Sequence, residues 1–188
     1  MILFNTRRSI LIITALFFMQ FAAAPPSSAQ ENPREYAIKA AFIYNFVKFV
    51  RWPESAIQPS GALTLCVTGA DPFGPLLEKL AEKSRATENK LTVRRGIGPE
   101  DAAQCHIVFV GDPDGDRLER VLDAVKGKPV LTVGDAPEFA HKGVAINFFI
   151  QDNKVRFEIN VGAARRSGLA VSSELLNLAR IVEGGPGK

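Results

Sequence analysis

Residues that carry chemistry are scarce in this chain. It holds two histidines, two cysteines, two methionines and one tryptophan, and no Cys-x-x-Cys, His-Glu-x-x-His or Gly-x-Ser-x-Gly arrangement joins them. A metal centre or a nucleophilic triad needs more ligands or partners than this set supplies, so the sequence predicts neither an enzyme nor a bound cofactor. His106 opens an apolar strand beside Cys105 and reads as structural, while His141, before Lys142-Gly143, reads as a solvated turn residue. Asp112, Asp114 and Asp116 alternate as calcium ligands do. Such a loop needs glycine at its sixth position and glutamate at its twelfth, where this chain has Arg117 and Asp123, so the aspartates read as caps for a following helix. Gly96-Ile97-Gly98 lacks the third glycine and the ensuing helix of a dinucleotide loop.

Excess charge is missing too. The formal net charge is +3, and Arg7 and Arg8 are two of the 23 basic residues, which leaves 21 against 20 acidic groups in the remainder. The longest basic clusters there are the pairs Arg94-Arg95 and Arg165-Arg166, too little to track a phosphate backbone, so nucleic acid is excluded as a partner. A long apolar run occurs only near the start: Ile10 to Ala24 follows Arg7-Arg8, stops at Pro25-Pro26, and precedes the small residues Ser27-Ser28-Ala29. That order predicts a cleaved secretory signal peptide over 1–29, a run too short to span a bilayer, and a periplasmic domain over 30–183 with a flexible tail at 184–188. Cys66 and Cys105 either close one bridge or sit as two separate buried thiols, and an oxidising compartment favours the bridge.

With a hydrophobic fraction of 46%, the remainder can build a core, and its pattern alternates strand with helix. Leu63–Gly69, Lys90–Arg95, His106–Gly111 and Val130–Val133 read as strands, two of them apolar throughout, as interior strands covered on both faces are. Between them, Phe73, Leu76, Leu77, Leu80 and Ala81, then Leu118, Val121, Leu122 and Val125, recur at helical spacing. Val144–Ile150 and Val155–Val161 flank Gln151-Asp152-Asn153-Lys154, a tight-turn sequence, and form a hairpin. Ala163–Ser167 and Ser173–Val182 are predicted helices broken at Gly168, the second capped by Ser172 or Ser173 and burying Leu175, Leu176, Leu178, Ala179 and Val182. The expected fold is an α/β three-layer sandwich: a mostly parallel sheet, helices on both faces, and an antiparallel hairpin at the edge.

A first helix is predicted from Pro33 to about Arg51, capped by Asn32 and stopped by Pro53. Asn45, Lys48 and Arg51 share a third of its circumference, with Lys39 opposite. The aromatic residues Tyr36, Phe42, Tyr44, Phe46, Phe49 and Trp52 therefore cannot all face one sheet, and some must be covered by the C-terminal helix or by another chain. Membrane insertion is disfavoured because Lys39, Lys48 and Arg51 interrupt a run shorter than a span. Aromatic and arginine anchors point to Tyr44, Lys48, Arg51 and Trp52 as partner-binding residues. A second reading is a single-domain receptor for a small ligand, using a crevice at the carboxyl ends of the parallel strands near Asp71 and Asp112.

The run Tyr36-x-x-Lys39-Ala40-Ala41-Phe42-x-Tyr44-Asn45-Phe46-x-Lys48-Phe49 with Trp52-Pro53 resembles the opening signature of the YfiR family of bacterial periplasmic proteins. Leu65-Cys66-Val67, Asp71-Pro72-Phe73-Gly74, Cys105-His106-Ile107-x-Phe109, Leu131-Thr132-Val133-x-Asp135, Phe157-Glu158-Ile159-Asn160 and Ser172-Ser173-x-Leu175-Leu176 extend the resemblance in order. It implies a non-enzymatic regulator that binds the periplasmic domain of an inner-membrane diguanylate cyclase and represses it, lowering cyclic di-GMP and biofilm formation. An outer-membrane peptidoglycan-binding lipoprotein that sequesters the repressor, and a homodimer, are further implied partners. The founding member has a second cysteine pair in its C-terminal half, and this sequence has none, which confines redox control to Cys66 and Cys105.

Overall fold

The computed structural model describes residues 33–57, 61–87, 90–111 and 116–184. The signal peptide at 1–29, the cap residue Asn32, Asp112 and Asp114, and the tail beyond Gly184 lie outside the described residues. In chain order the elements are α1 (Pro33–Phe49), β1 (Val50–Arg51), β2 (Leu63–Gly69), α2 (Leu76–Ser84), β3 (Leu91–Arg95), β4 (Ile107–Gly111), α3 (Asp116–Ala124) and β5 (Leu131–Gly134). Then come β6 (Ile146–Gln151), β7 (Lys154–Asn160), α4 (Val161–Arg166), β8 (Ala170–Val171), α5 (Ser173–Leu178) and β9 (Arg180–Val182).

Seven strands line up as β3-β2-β4-β5-β6-β7-β9. All neighbours run parallel except β6 and β7, so the hairpin sits toward one end of the sheet with only the short β9 outside it. Asp152 and Asn153 supply its turn, both at positive φ (50° and 57°), the backbone that a two-residue hairpin loop demands. Alternate side chains explain the apolar strands. Leu65, Val67, Ile107, Phe109, Leu131, Val133, Ile146 and Phe148 form one core with α1, α2, α4 and α5, while Cys66, Val108 and Val110 form a second with α3 and a 3₁₀ segment at Pro99–Gln104. Three layers result.

The first helix stops two residues earlier than its sequence suggests. Approaching Pro53, Val50 and Arg51 turn extended and pair antiparallel with Ala170 and Val171 as a separate two-stranded sheet. The last helix is shorter still. Ser172 caps it by accepting a hydrogen bond from Leu175 N–H at 3.3 Å, but Ala179 is extended and Arg180–Val182 add to the sheet beside β7. Leu178 is consequently 68% exposed, a correction to its expected burial. What draws the chain out is Glu158: it is 3% exposed, and its carboxylate takes Arg180 Nε–H at 3.1 Å while the guanidinium covers the Phe149 ring at 4.0 Å. Burying that carboxylate without its cation would be costly.

Most of the aromatic residues of α1 are covered by the domain itself. Phe46 stacks on Phe148 at 5.8 Å and meets Phe157 edge-on at 5.4 Å, with Phe42 beside both rings. Leu175 and Leu176 of α5 close over the same cluster.

Candidate functional site

Parallel strands carry their connecting loops at one end, and a crevice opens where successive loops leave in opposite directions. Here β2 leads to α2 on one face and β4 leads toward α3 on the other, so the divergence falls between Gly69-Ala70 and Gly111. The two loops approach closely, with Ala70 N–H donating to Gly111 C=O at 2.7 Å. Glycine is needed at both points: a Cβ on Gly111 would stand 1.9 Å from Ala70 O, and one on Gly69, at φ 81°, 2.1 Å from Gly111 O. Above this floor lies a cleft of about 300 Å³ lined by Glu35, Tyr36, Lys39, Pro72, Phe109 and the segment Asp135–Pro137, among others.

The polar wall of the cleft comes from α1 and from the residue after β5. Lys39, only 3% exposed, places Nζ 2.6 Å from Glu35 Oε1 and 2.7 Å from Asp135 Oδ2. The Tyr36 hydroxyl donates to the same Asp135 oxygen at 3.0 Å, and the Lys39 ammonium also lies 4.3 Å from the Tyr36 ring centroid. Sequence reasoning located the crevice but missed this group. Its one local signal was a lone lysine on the apolar side of the helix.

Of the two predicted ligand residues, Asp71 does not line the cleft. Asp71 is engaged locally: one oxygen accepts Phe73 N–H at 3.0 Å, opening the turn before α2, and the other pairs with Arg95. Arg95 also reaches Glu78 at 2.6 Å, and its partial burial lowers the pKa of its guanidinium. Asp112 lies outside the described residues. Among the described residues, no group of three or more His, Cys, Asp or Glu side chains is arranged to hold a metal ion.

The predicted partner-binding residues divide. Tyr44 is half-buried with its hydroxyl 3.5 Å from Thr87 Oγ1, Lys48 is exposed with Nζ 5.1 Å from the Tyr44 ring, and Arg51 is exposed on β1. Trp52 does not share that surface. It is 7% exposed, and its indole N–H donates to His106 C=O at 3.3 Å. His106 itself is a fixed strut: Nδ1 accepts Thr64 N–H at 3.0 Å, which puts the proton on Nε2 for the carbonyl of Ala56 at 2.9 Å. Beside it Cys105 is bonded to Cys66, with the Cα atoms 6.1 Å apart. His141 is exposed in its turn, with Nδ1 3.2 Å from the Glu183 carbonyl.

A family model described as YfiR/HmsC-like matches residues 36–180. Among solved structures, a conserved domain protein from Vibrio cholerae O1 is similar at 12% identity, with 78% of this chain and 59% of that one covered and a TM-score of 0.47. An ABC domain in complex with L-Trp from Streptococcus pneumoniae is similar at 8% identity, with 79% and 60% covered and a TM-score of 0.52. The chain thus spans about 60% of the length of each, and the second likeness bears on the α/β fold alone.

Proposed function

The chain belongs to the YfiR/HmsC-like family, whose members are periplasmic regulators of diguanylate cyclases, and from that premise we propose that it represses one such enzyme by binding its periplasmic sensor domain. The observation that carries the reading is the match over 36–180, which takes in nearly every described element. A bridged Cys66–Cys105 pair fits an oxidising compartment. Among the described residues no helix is long and apolar enough to cross a membrane.

Repression of this kind needs contact and no reaction. The regulator binds the inactive conformation of the sensor more tightly than the active one, and a difference of about 5.5 kcal/mol moves the population from almost wholly one to almost wholly the other. Tyr44, Lys48 and Arg51 are the side chains proposed to meet the sensor, since an amphipathic ring and two long cations at the surface are typical anchors. Lower cyclic di-GMP and less biofilm are the proposed outcome. Release by a peptidoglycan-binding outer-membrane lipoprotein and self-association as a homodimer complete the proposal.

The test is deletion of the gene with cyclic di-GMP measured, followed by pull-down of the purified protein against the periplasmic domain of the cyclase encoded beside it. A rise in the nucleotide together with capture of that domain supports repression. Unchanged nucleotide and no capture overturn it.

A further inference from the structure

The cleft at the carboxyl ends of β2, β4 and β5 holds one cation between two carboxylates. Lys39 meets Glu35 Oε1 and Asp135 Oδ2, and Tyr36 donates to that same Asp135 oxygen. Among the described residues, no donor reaches Glu35 Oε2 or Asp135 Oδ1. The group therefore carries one net negative charge in a recess. The two carboxylate side chains are 24% and 14% exposed, open enough to touch a ligand and too enclosed for full hydration.

The chemistry of the recess selects its occupant. Half-dehydrated carboxylate oxygens are best satisfied by positively charged N–H donors, whose bonds are short and about twice as strong as neutral ones. A bare divalent ion fits poorly, because it needs about six or more oxygen ligands and the position between the two carboxylates is already taken by the Lys39 ammonium. An anion would meet two carboxylates and an ammonium only 3% exposed. The remaining wall, from Pro72, Phe109, Ala136 and Pro137, is apolar and suits a short hydrocarbon chain. At about 300 Å³ the space is at the small end for a ligand site.

We propose that this cleft binds a small organic cation, a primary amine or guanidinium on a short apolar chain, whose N–H groups bridge Glu35 and Asp135. The site is separate from Tyr44, Lys48 and Arg51, and its occupancy is measurable without any cyclase.

Isothermal titration of the purified protein with putrescine and with agmatine, each against glutarate and glucose as controls, tests the assignment. At least one cation binds saturably and neither control does. Glu35→Gln, which keeps an oxygen acceptor for Lys39, weakens the binding by about tenfold or more when measured below the variant's own melting transition. Asp135→Asn, which keeps an acceptor for Tyr36 and Lys39, weakens it similarly and serves as the second variant. No saturable heat from either cation, affinity unaltered in both variants, or saturable binding of glutarate overturns the site.

Discussion

Lys39 Nζ lies 2.7 Å from Asp135 Oδ2, so a side chain on the second turn of α1 is bound to the residue that follows β5, 96 positions away. Replacing Lys39 by Met leaves Asp135 and Glu35 facing each other without their cation. Urea denaturation is expected to show a loss of about 3 kcal/mol. The double variant with Asp135→Asn should recover part of that loss. If single and double variants unfold at the same urea concentration, the pair is not coupled as the distance implies.

The bridge between Cys66 and Cys105 closes a separation of 39 residues. On chain-entropy grounds its removal in Cys66→Ser should cost about 3 to 4 kcal/mol, or roughly 10 °C in melting temperature for a domain of this size. Calorimetry under oxidising conditions reads this directly, and an unchanged melting temperature would count against the bond.

Arg51→Ala and Lys48→Ala should separate from Trp52→Ala. The first two remove exposed groups and are expected to weaken capture of the sensor domain with stability altered by less than about 0.5 kcal/mol. The third opens a cavity and removes one of the two hydrogen bonds to the His106 carbonyl, which keeps that from Leu131 N–H, at a cost of about 3 to 5 kcal/mol. Equal losses of stability across all three would contradict the division between surface and core.

Gly111→Ala should destabilise by about 2 to 3 kcal/mol, because its Cβ would run into the backbone oxygen of Ala70 and one of the two loops must shift. The same shift deforms the floor of the cleft. A variant with wild-type melting temperature would show that the approach of the two loops is looser than the hydrogen bond from Ala70 to Gly111 indicates.

Sheet, helices and hairpin were legible in the sequence wherever the information is local. Leu63–Gly69 and Ile107–Gly111 announce themselves as doubly covered strands, and Asp152-Asn153 as a turn whose backbone only a few residues accept. The misses are places where a distant partner outweighs local preference. Val50-Arg51 and Ala170-Val171 are too short to carry a period, and each becomes a strand only by meeting the other. Leu175, Leu176, Leu178 and Val182 have helical spacing, yet Glu158 and β7 claim Arg180–Val182 for the sheet. The cleft was legible as a place. Its chemistry was not, because Tyr36 and Lys39 find Asp135 only after four strands, β3, β2, β4 and β5, have been laid side by side.

The Cys66–Cys105 bond lies in the core shared with α3, whereas Tyr44 and Lys48 belong to the helix on the opposite face of the sheet. A reductant therefore has no direct route to the proposed contact surface. Its influence must arrive through the integrity of the whole sheet, so that a loss of partner capture on reduction should track the fraction of molecules melted, and vanish at temperatures where the reduced chain is still folded.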